Sequence, residues 1–440
     1  MTPTTLPPSP TADSAFSITS RLSAMMFLEF FIWGSWYVSM TGWMNANGLT
    51  GLISWAYTVG PIAAIISPFF LGMIADRFFP TQRVLGVLHL LGAAAMLAVP
   101  SLSLGSSAST DDNFFHPYIL LLFAHMLCFM PTLGLTGTLS FAHMNNPQKQ
   151  FPLVRVFGTI GWIVGNIVVG GGLALSASTT FTWIEGGDKS HAQFYITGAA
   201  GILLGLFSFL LPHTPPSQAG KKVTIREILG LDALALMLRP SYLVFILCSF
   251  LICIPLAGYY GQARNFVEFV GFANPTFTMS YGQMSEILFM LVMPLCFARL
   301  GVKWMIAAGM LAWVLRYGLF SASANGHVAW MVLAGIVLHG ICYDFFFVTG
   351  QIYVDKVAPK EIRGQAQGFL VLVTQGLGLG LGARFFGSLV THYTNPGVAD
   401  APETKDWQAI WMVPSIFAVV ILFIFVALFR EPRRNGNEPA

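Results

Sequence analysis

At 440 residues, with 55% hydrophobic and 9% charged side chains and a mean hydropathy of +0.68, the chain cannot be a soluble globule; such domains carry about 25% charged residues. Its 22 basic and 19 acidic residues leave a formal charge of +3, too little to serve nucleic acid. All five cysteines lie in apolar runs without paired metal spacing, so they read as buried thiols, with no metal site or disulfide framework.

Residues 1–23 are rich in Pro, Thr and Ser and lack a basic segment leading to a small-residue cleavage site. They are expected to be a flexible cytoplasmic tail, not a signal peptide. Twelve apolar runs follow, each near the roughly 20 residues that cross a bilayer. They span about 24–45, 52–75, 84–105, 117–140, 154–176 and 192–212, then 241–263, 278–298, 302–322, 328–354, 364–392 and 407–430. The spacing predicts a six-helix bundle over 24–212, a cytoplasmic linker over 213–240, a second bundle over 241–430 and a tail over 431–440. Within the linker, residues 225–234 are amphipathic and are expected to lie along the membrane face. Arg83, Lys149, Lys221, Lys222, Arg239, Arg299, Lys303, Lys356 and Arg430 fall in the even-to-odd connections or beyond span 12, whereas Asp111, Asp112, Glu185, Asp188, Glu403 and Asp406 fall in the others, with Lys189 and Lys405 as minor exceptions. By the positive-inside rule both termini are cytoplasmic. The expected fold is an all-α integral membrane protein of 12 transmembrane helices, in two pseudo-symmetric bundles that rock around a site at half depth.

Polar side chains inside these spans are the candidates for chemistry. Asp344 stands mid-span, where a charge costs roughly 2.5–3.5 kcal/mol, so it should face a cavity or a partner. A proton-coupling role is one reading; a permanent salt bridge to Arg316 or Arg384 is the rival. Glu286 follows Gln283 at i, i+3, one face that can take sugar hydroxyls or a base edge; a structural pairing of Glu286 with a neighbouring helix is its alternative. Arg155, Thr159 and Trp162 recur at i, i+4 and i+7, also one face. Against a binding role, Arg155 can anchor the helix mouth and Trp162 can simply fill space. Glu29 in span 1 is a third intramembrane carboxylate and a possible second proton site. His339 can relay a proton or only fill space; His125 and His143 read as helix-packing or helix-end residues.

Two resemblances add to this. Gly72, Asp76 and Arg77 after span 2, with Arg83 beyond, resemble the gating motif of the major facilitator superfamily, with Phe78-Phe79-Pro80 replacing its next glycine. Several ordered blocks resemble the nucleoside:proton symporter family. They include Phe31-Ile32-Trp33-Gly34-Ser35-Trp36, Met130-Pro131-Thr132-Leu133-Gly134-Leu135, Arg155-Val156-Phe157-Gly158-Thr159, Ser285-Glu286-Ile287-Leu288-Phe289, Trp313-Val314-Leu315-Arg316, Asp344-Phe345-Phe346 and Arg363-Gly364-Gln365-Ala366-Gln367-Gly368. This resemblance implies a major facilitator fold and a cavity lined by Arg155, Thr159, Gln283, Glu286, Tyr343 and Asp344. Trp162 takes the place of a cavity phenylalanine, His339 that of an aromatic hydroxyl, and Glu29 that of an amide. In span 7 the family's two amides fall either on Ala257 and Tyr260 or, with a shift, on Gln262 and Asn265.

The expected function is therefore proton-coupled uptake of purine and pyrimidine nucleosides across the bacterial inner membrane by alternating access. The chain should work as a monomer in the lipid bilayer, with the proton as coupling ion and neither cofactor nor metal. A proton symporter of another polar solute such as a sugar is the alternative within this class. A non-transporting membrane sensor is the alternative outside it, disfavoured because cavity carboxylates persist and no large signalling domain is attached. Enzyme chemistry is disfavoured by the lack of a metal triad, nucleophile elbow or phosphate-cradling loop.

Overall fold

The computed structural model describes residues 12–70, 78–102, 112–144, 147–174, 180–216, 231–359, 362–395 and 404–431. Among them, nine helices are long and apolar enough to cross a membrane. One of these, Pro275–Ala324, is two spans in one: Gly301 adopts φ +66° and ψ −177°, a conformation open essentially to glycine alone, and kinks the helix there. The shorter Ala192–Ser208 and the interrupted first helix, Ala12–Gly34 continued by Met40–Ala46, complete twelve crossings. Spans 2 to 7 are Ile53–Phe70, Thr81–Ala98, Pro117–Ala142, Pro147–Gly170, Ala192–Ser208 and Pro240–Val270. Spans 8 and 9 flank Gly301, and spans 10 to 12 are Ala329–Val357, Gln365–His392 and Trp407–Leu428. Spans 1–6 pack together as one bundle and spans 7–12 as the other.

Some expectations need correction. The first helix starts at Ala12, so the segment up to residue 23 is not wholly a tail. The apolar part of span 5, Leu153–Gly170, starts where expected, and its helix begins earlier, at Pro147. Small antiparallel hairpins, Gly172–Ala174 with Thr180–Thr182 and Thr394–Asn395 with Thr404–Lys405, occupy connections that hydropathy leaves featureless. The gating residues Gly72, Asp76 and Arg77 and the amphipathic stretch 225–230 lie outside the described residues.

Pseudo-symmetry is visible in how the helices touch. Gly161 and Gly165 of span 5 lie so close to span 1 that a Cβ would sit 2.1 Å from the Phe27 carbonyl oxygen and 2.8 Å from that of Phe31. In span 11, Gly378 and Gly382 repeat this against the carbonyls of Phe250 and Ile254 in span 7, at 2.9 and 2.7 Å. Each pair has the small-x-x-x-small spacing that lets two backbones meet, which matters in lipid, where no hydrophobic force drives helix association. Gly161→Val should therefore force the two helices apart, at about 1–3 kcal/mol or more. We expect loss of the monodisperse species in detergent gel filtration. Gly137→Ala, with nothing within 4 Å of the added carbon, should leave it unchanged.

Candidate functional site

The seam between the bundles gathers polar groups at mid-depth. A Cβ on Gly340 would sit 2.7 Å from the Glu286 amide nitrogen, and the Gly340 N–H donates to Ser285 Oγ at 3.1 Å. Ser285 Oγ in turn lies 2.7 Å from the Val337 carbonyl oxygen. These contacts clamp span 10 onto span 8 and bring Tyr343 and Asp344 beside Glu286. Asp344 also opens a π-helical stretch, Asp344–Val348, a local winding change often found at functional sites. It is fully buried, and neither carboxylate oxygen has a hydrogen-bond partner among the described residues.

Glu286, also buried, acts electrostatically on Asp344 and on Tyr343, and Arg155 of the other bundle acts on Glu286 and Tyr343. Arg155 is two turns inside its helix and at the start of the apolar stretch Leu153–Gly170, with its guanidinium 4.1 Å from the centre of the Phe30 ring. Thr159 is buried on the same helix, and the Trp162 ring stands 5.3 Å from Trp33 and 6.1 Å from Tyr37. Gln283 is buried one turn before Glu286, its Oε1 without a partner among the described residues. Opposite Tyr37, at 5.5 Å, lies Tyr260 of span 7, within electrostatic reach of Glu286 and Tyr343. Among the described residues the seam thus offers two carboxylates, one guanidinium acting on them through Glu286, and aromatic faces from both bundles.

Neither salt-bridge partner considered for Asp344 takes that role. Arg316 donates through Nε to the Gly335 carbonyl at 3.1 Å and lies 4.2 Å from the centre of the Tyr259 ring. Arg384 binds Asp112 instead, for it lies well toward the end of span 11. His339 stacks on Tyr259 at 5.5 Å, its Nδ1 without a partner among the described residues. The amides of span 7 sit nearer the end of the molecule opposite the chain termini, here the distal end. Asn265 Nδ2 donates to Gln262 at 3.3 Å, and Asn45 of span 1 donates to Asn265 at 3.0 Å. Tyr260, not this pair, is what span 7 turns toward Glu286.

Glu29 lies inside the first bundle. Its Oε2 is 2.8 Å from His89 Nε2 and its Oε1 is 2.5 Å from Thr132 Oγ1. Sequence reasoning overlooked His89, although a histidine between Leu88 and Leu90 on an apolar span carries the same intramembrane signal as Asp344.

The distal seam is locked by ion pairs. Asp188, in the connection between spans 5 and 6, accepts from Arg264 of span 7 at Nε (2.9 Å) and Nη2 (2.7 Å), and also from the Thr276 hydroxyl. Arg264 is further paired with Glu268, which holds Lys189. Elsewhere on this end Arg384 binds Asp112 (Nη1–Oδ1 2.6 Å) and Ser54 (3.0 Å) across the bundles. A cavity of about 610 Å³ lies beside it, lined by Tyr57, Asp112, Gln262, Arg384 and Thr391 among others.

The fold and site have known relatives. A family model described as nucleoside H+ symporter matches residues 16–434. The putative nucleoside transporter YegT of Escherichia coli (strain K12) is 39% identical over 416 residues, 94% of each chain. The xanthosine permease of the same organism is 30% identical over 433 residues, covering 94% of this chain and 96% of its own. The crystal structure of the nucleoside transporter NupG superposes with a TM-score of 0.76 at 29% identity, covering 94% of this chain and 100% of that one. On these grounds the chain belongs to the nucleoside–proton symporter family: it is a major facilitator transporter that takes up nucleosides with protons, and not an enzyme.

Proposed function

We propose that one nucleoside and one proton share the mid-depth seam, with Asp344 and Glu286 as the carboxylates that hold the proton. The observation that carries this is a charge count. Glu286 acts on Asp344, and among the described residues one guanidinium, that of Arg155, acts on Glu286 and none on Asp344, so the carboxylate pair is balanced only when a proton binds. Because Arg155 compensates Glu286, Asp344 is the residual charge and the loading group. Glu286 and Gln283 then take sugar hydroxyls or a base edge, Thr159 adds a hydroxyl, and the Trp162 and Tyr343 rings lie against the planar base, whether purine or pyrimidine. The scheme calls on no resident cofactor, and one monomer supplies both halves of the site.

The charge distribution supports cytoplasmic termini in the inner membrane, since Arg83, Arg239, Arg299, Lys303 and Arg430 lie at the terminal end and Asp112, Asp188 and Asp406 at the distal end. The distal end is then extracellular, and the ion pairs described above close the outer gate. Tested in proteoliposomes, an imposed inward proton gradient should drive labelled uridine and adenosine uptake, with nucleoside-induced alkalinisation outside and no hexose uptake. Hexose uptake matching that of uridine would overturn the site assignment.

The outer gate gives a pH prediction. Hydrogen bonds from Arg384 hold the Asp112 carboxyl below its ordinary value of about 3.9. A lowered value means the pair contributes fully above the ordinary carboxylate range and is lost only as pH falls through the lowered one. In a background without the native cysteines, labelling of Thr391→Cys beside this pair, taken relative to a fully exposed reference thiol so that the pH-dependent thiolate fraction cancels, should not change between external pH 8 and 5. Faster labelling within that window would show that a different group controls the gate.

A further inference from the structure

We propose a second proton-binding site in the first bundle, formed by Glu29, His89 and Thr132; it builds on the symport reading and adds one proton to it. Thr132 Oγ1 lies 2.5 Å from Glu29 Oε1 and 2.6 Å from the Phe129 carbonyl oxygen, yet a hydroxyl has only one hydrogen to donate. If Glu29 were a carboxylate beside a charged His89, one of these short oxygen–oxygen contacts would have no hydrogen in it.

Both contacts are satisfied when Glu29 Oε1 carries a proton and donates it to Thr132 Oγ1, which donates to Phe129. The neutral His89 then donates from Nε2 to Oε2 at 2.8 Å. On release, the proton leaves Oε1 and the Thr132 hydroxyl turns to the carboxylate, leaving the Phe129 oxygen to the helix ladder. One proton is bound or lost, no other covalent bond changes, and the Thr132 hydrogen bond passes from Phe129 to Glu29.

Few other charged groups face this site. On span 4, His125 acts on His89, but its Nδ1 is 3.0 Å from the Gly92 carbonyl. On span 5, Arg155 lies over the neighbouring Phe30 and acts on Glu286 across the seam. Span 6 offers only Tyr195, which is exposed. The site is linked to the substrate seam through Trp33, one turn after Glu29. The Trp33 ring touches Phe129 at 5.5 Å and Trp162 at 5.3 Å, so a nucleoside pressing on Trp162 bears on the helix that carries the Thr132–Phe129 bond.

The test is thermodynamic stoichiometry in proteoliposomes with the membrane potential clamped at zero. Each coupled proton multiplies the limiting nucleoside accumulation about tenfold per pH unit. With two sites the native protein should approach about 100-fold and Glu29→Gln, whose amide keeps both neighbours, about tenfold. Nucleoside counterflow, which needs no gradient, reports that the variant is folded. A native limit of about tenfold would overturn the second site while leaving the symport intact, whether or not the variant folds. So would an unchanged limit in Glu29→Gln. No proton-coupled accumulation in the native protein would instead overturn the symport reading itself.

Discussion

Asp344→Asn is expected to keep nucleoside binding and to give up one proton's share of the driving force, lowering limiting accumulation about tenfold per pH unit. The carboxylate is fully buried and neither oxygen is hydrogen-bonded among the described residues, so an amide of the same shape breaks no bond in this conformation. What changes is the charge count: with Asp344 neutral, Arg155 and Glu286 balance each other and the seam no longer calls for a proton. Because a bound proton already neutralises this buried group, the amide removes no ionic desolvation cost, so the variant should melt close to the native protein. Joined to Glu29→Gln, it should bring the accumulation ratio to about 1 at any pH gradient, since no coupled group remains. Concentrative uptake by Asp344→Asn at the native limit would take Asp344 out of the coupling role.

The contrast between Asp344 and Arg264 shows what a sequence of this kind can and cannot disclose. Lipid makes each mid-span charge conspicuous, so Asp344, Glu286 and Glu29 stand out without any structure, and the twelve spans follow from hydropathy alone. Helix ends do not, because helices continue past the apolar stretch: the helix that carries Arg155 begins at Pro147, ahead of its apolar part at Leu153. Partnerships between distant elements are also hidden. On sequence grounds Arg384 is a possible partner of Asp344, and its position along span 11 gives it to Asp112 instead. Span 7 is a case of phase: two alignments of its amides are equally good, and the structure puts Tyr260 within electrostatic reach of Glu286 and Gln262 in the lining of the distal cavity. The paired glycines at 161/165 and 378/382 are legible as spacing, but the carbonyls they admit are not.

The larger conformational effect is expected at Asp188. Arg264 is 1% exposed and its Nε and Nη2 both donate to this one carboxylate, which reaches span 7 from the opposite bundle. Taking away one partner of a buried pair commonly costs about 3–5 kcal/mol, because the remaining charge stays out of water. Glu268 still holds Arg264 from the same helix, so we expect Asp188→Ala to cost the closed outer gate about 2 kcal/mol, roughly 30-fold in its ratio to the open form. When the gate is open, water solvates the guanidinium and the cost disappears, so the penalty acts as a shift of population and not as general unfolding. Spin labels on Phe115→Cys and Thr391→Cys, one on each bundle at the distal end, should show a longer-distance population gaining at the expense of the short one. Uptake should slow in parallel, since the outer gate must close before the inner side can open. Adding Arg264→Met removes the stranded charge and leaves Glu268 to Lys189, so the double variant should recover much of the short-distance population. An unchanged distance distribution in Asp188→Ala would mean that the Arg384–Asp112 pair and the Asn45–Asn265 contact suffice to hold the gate.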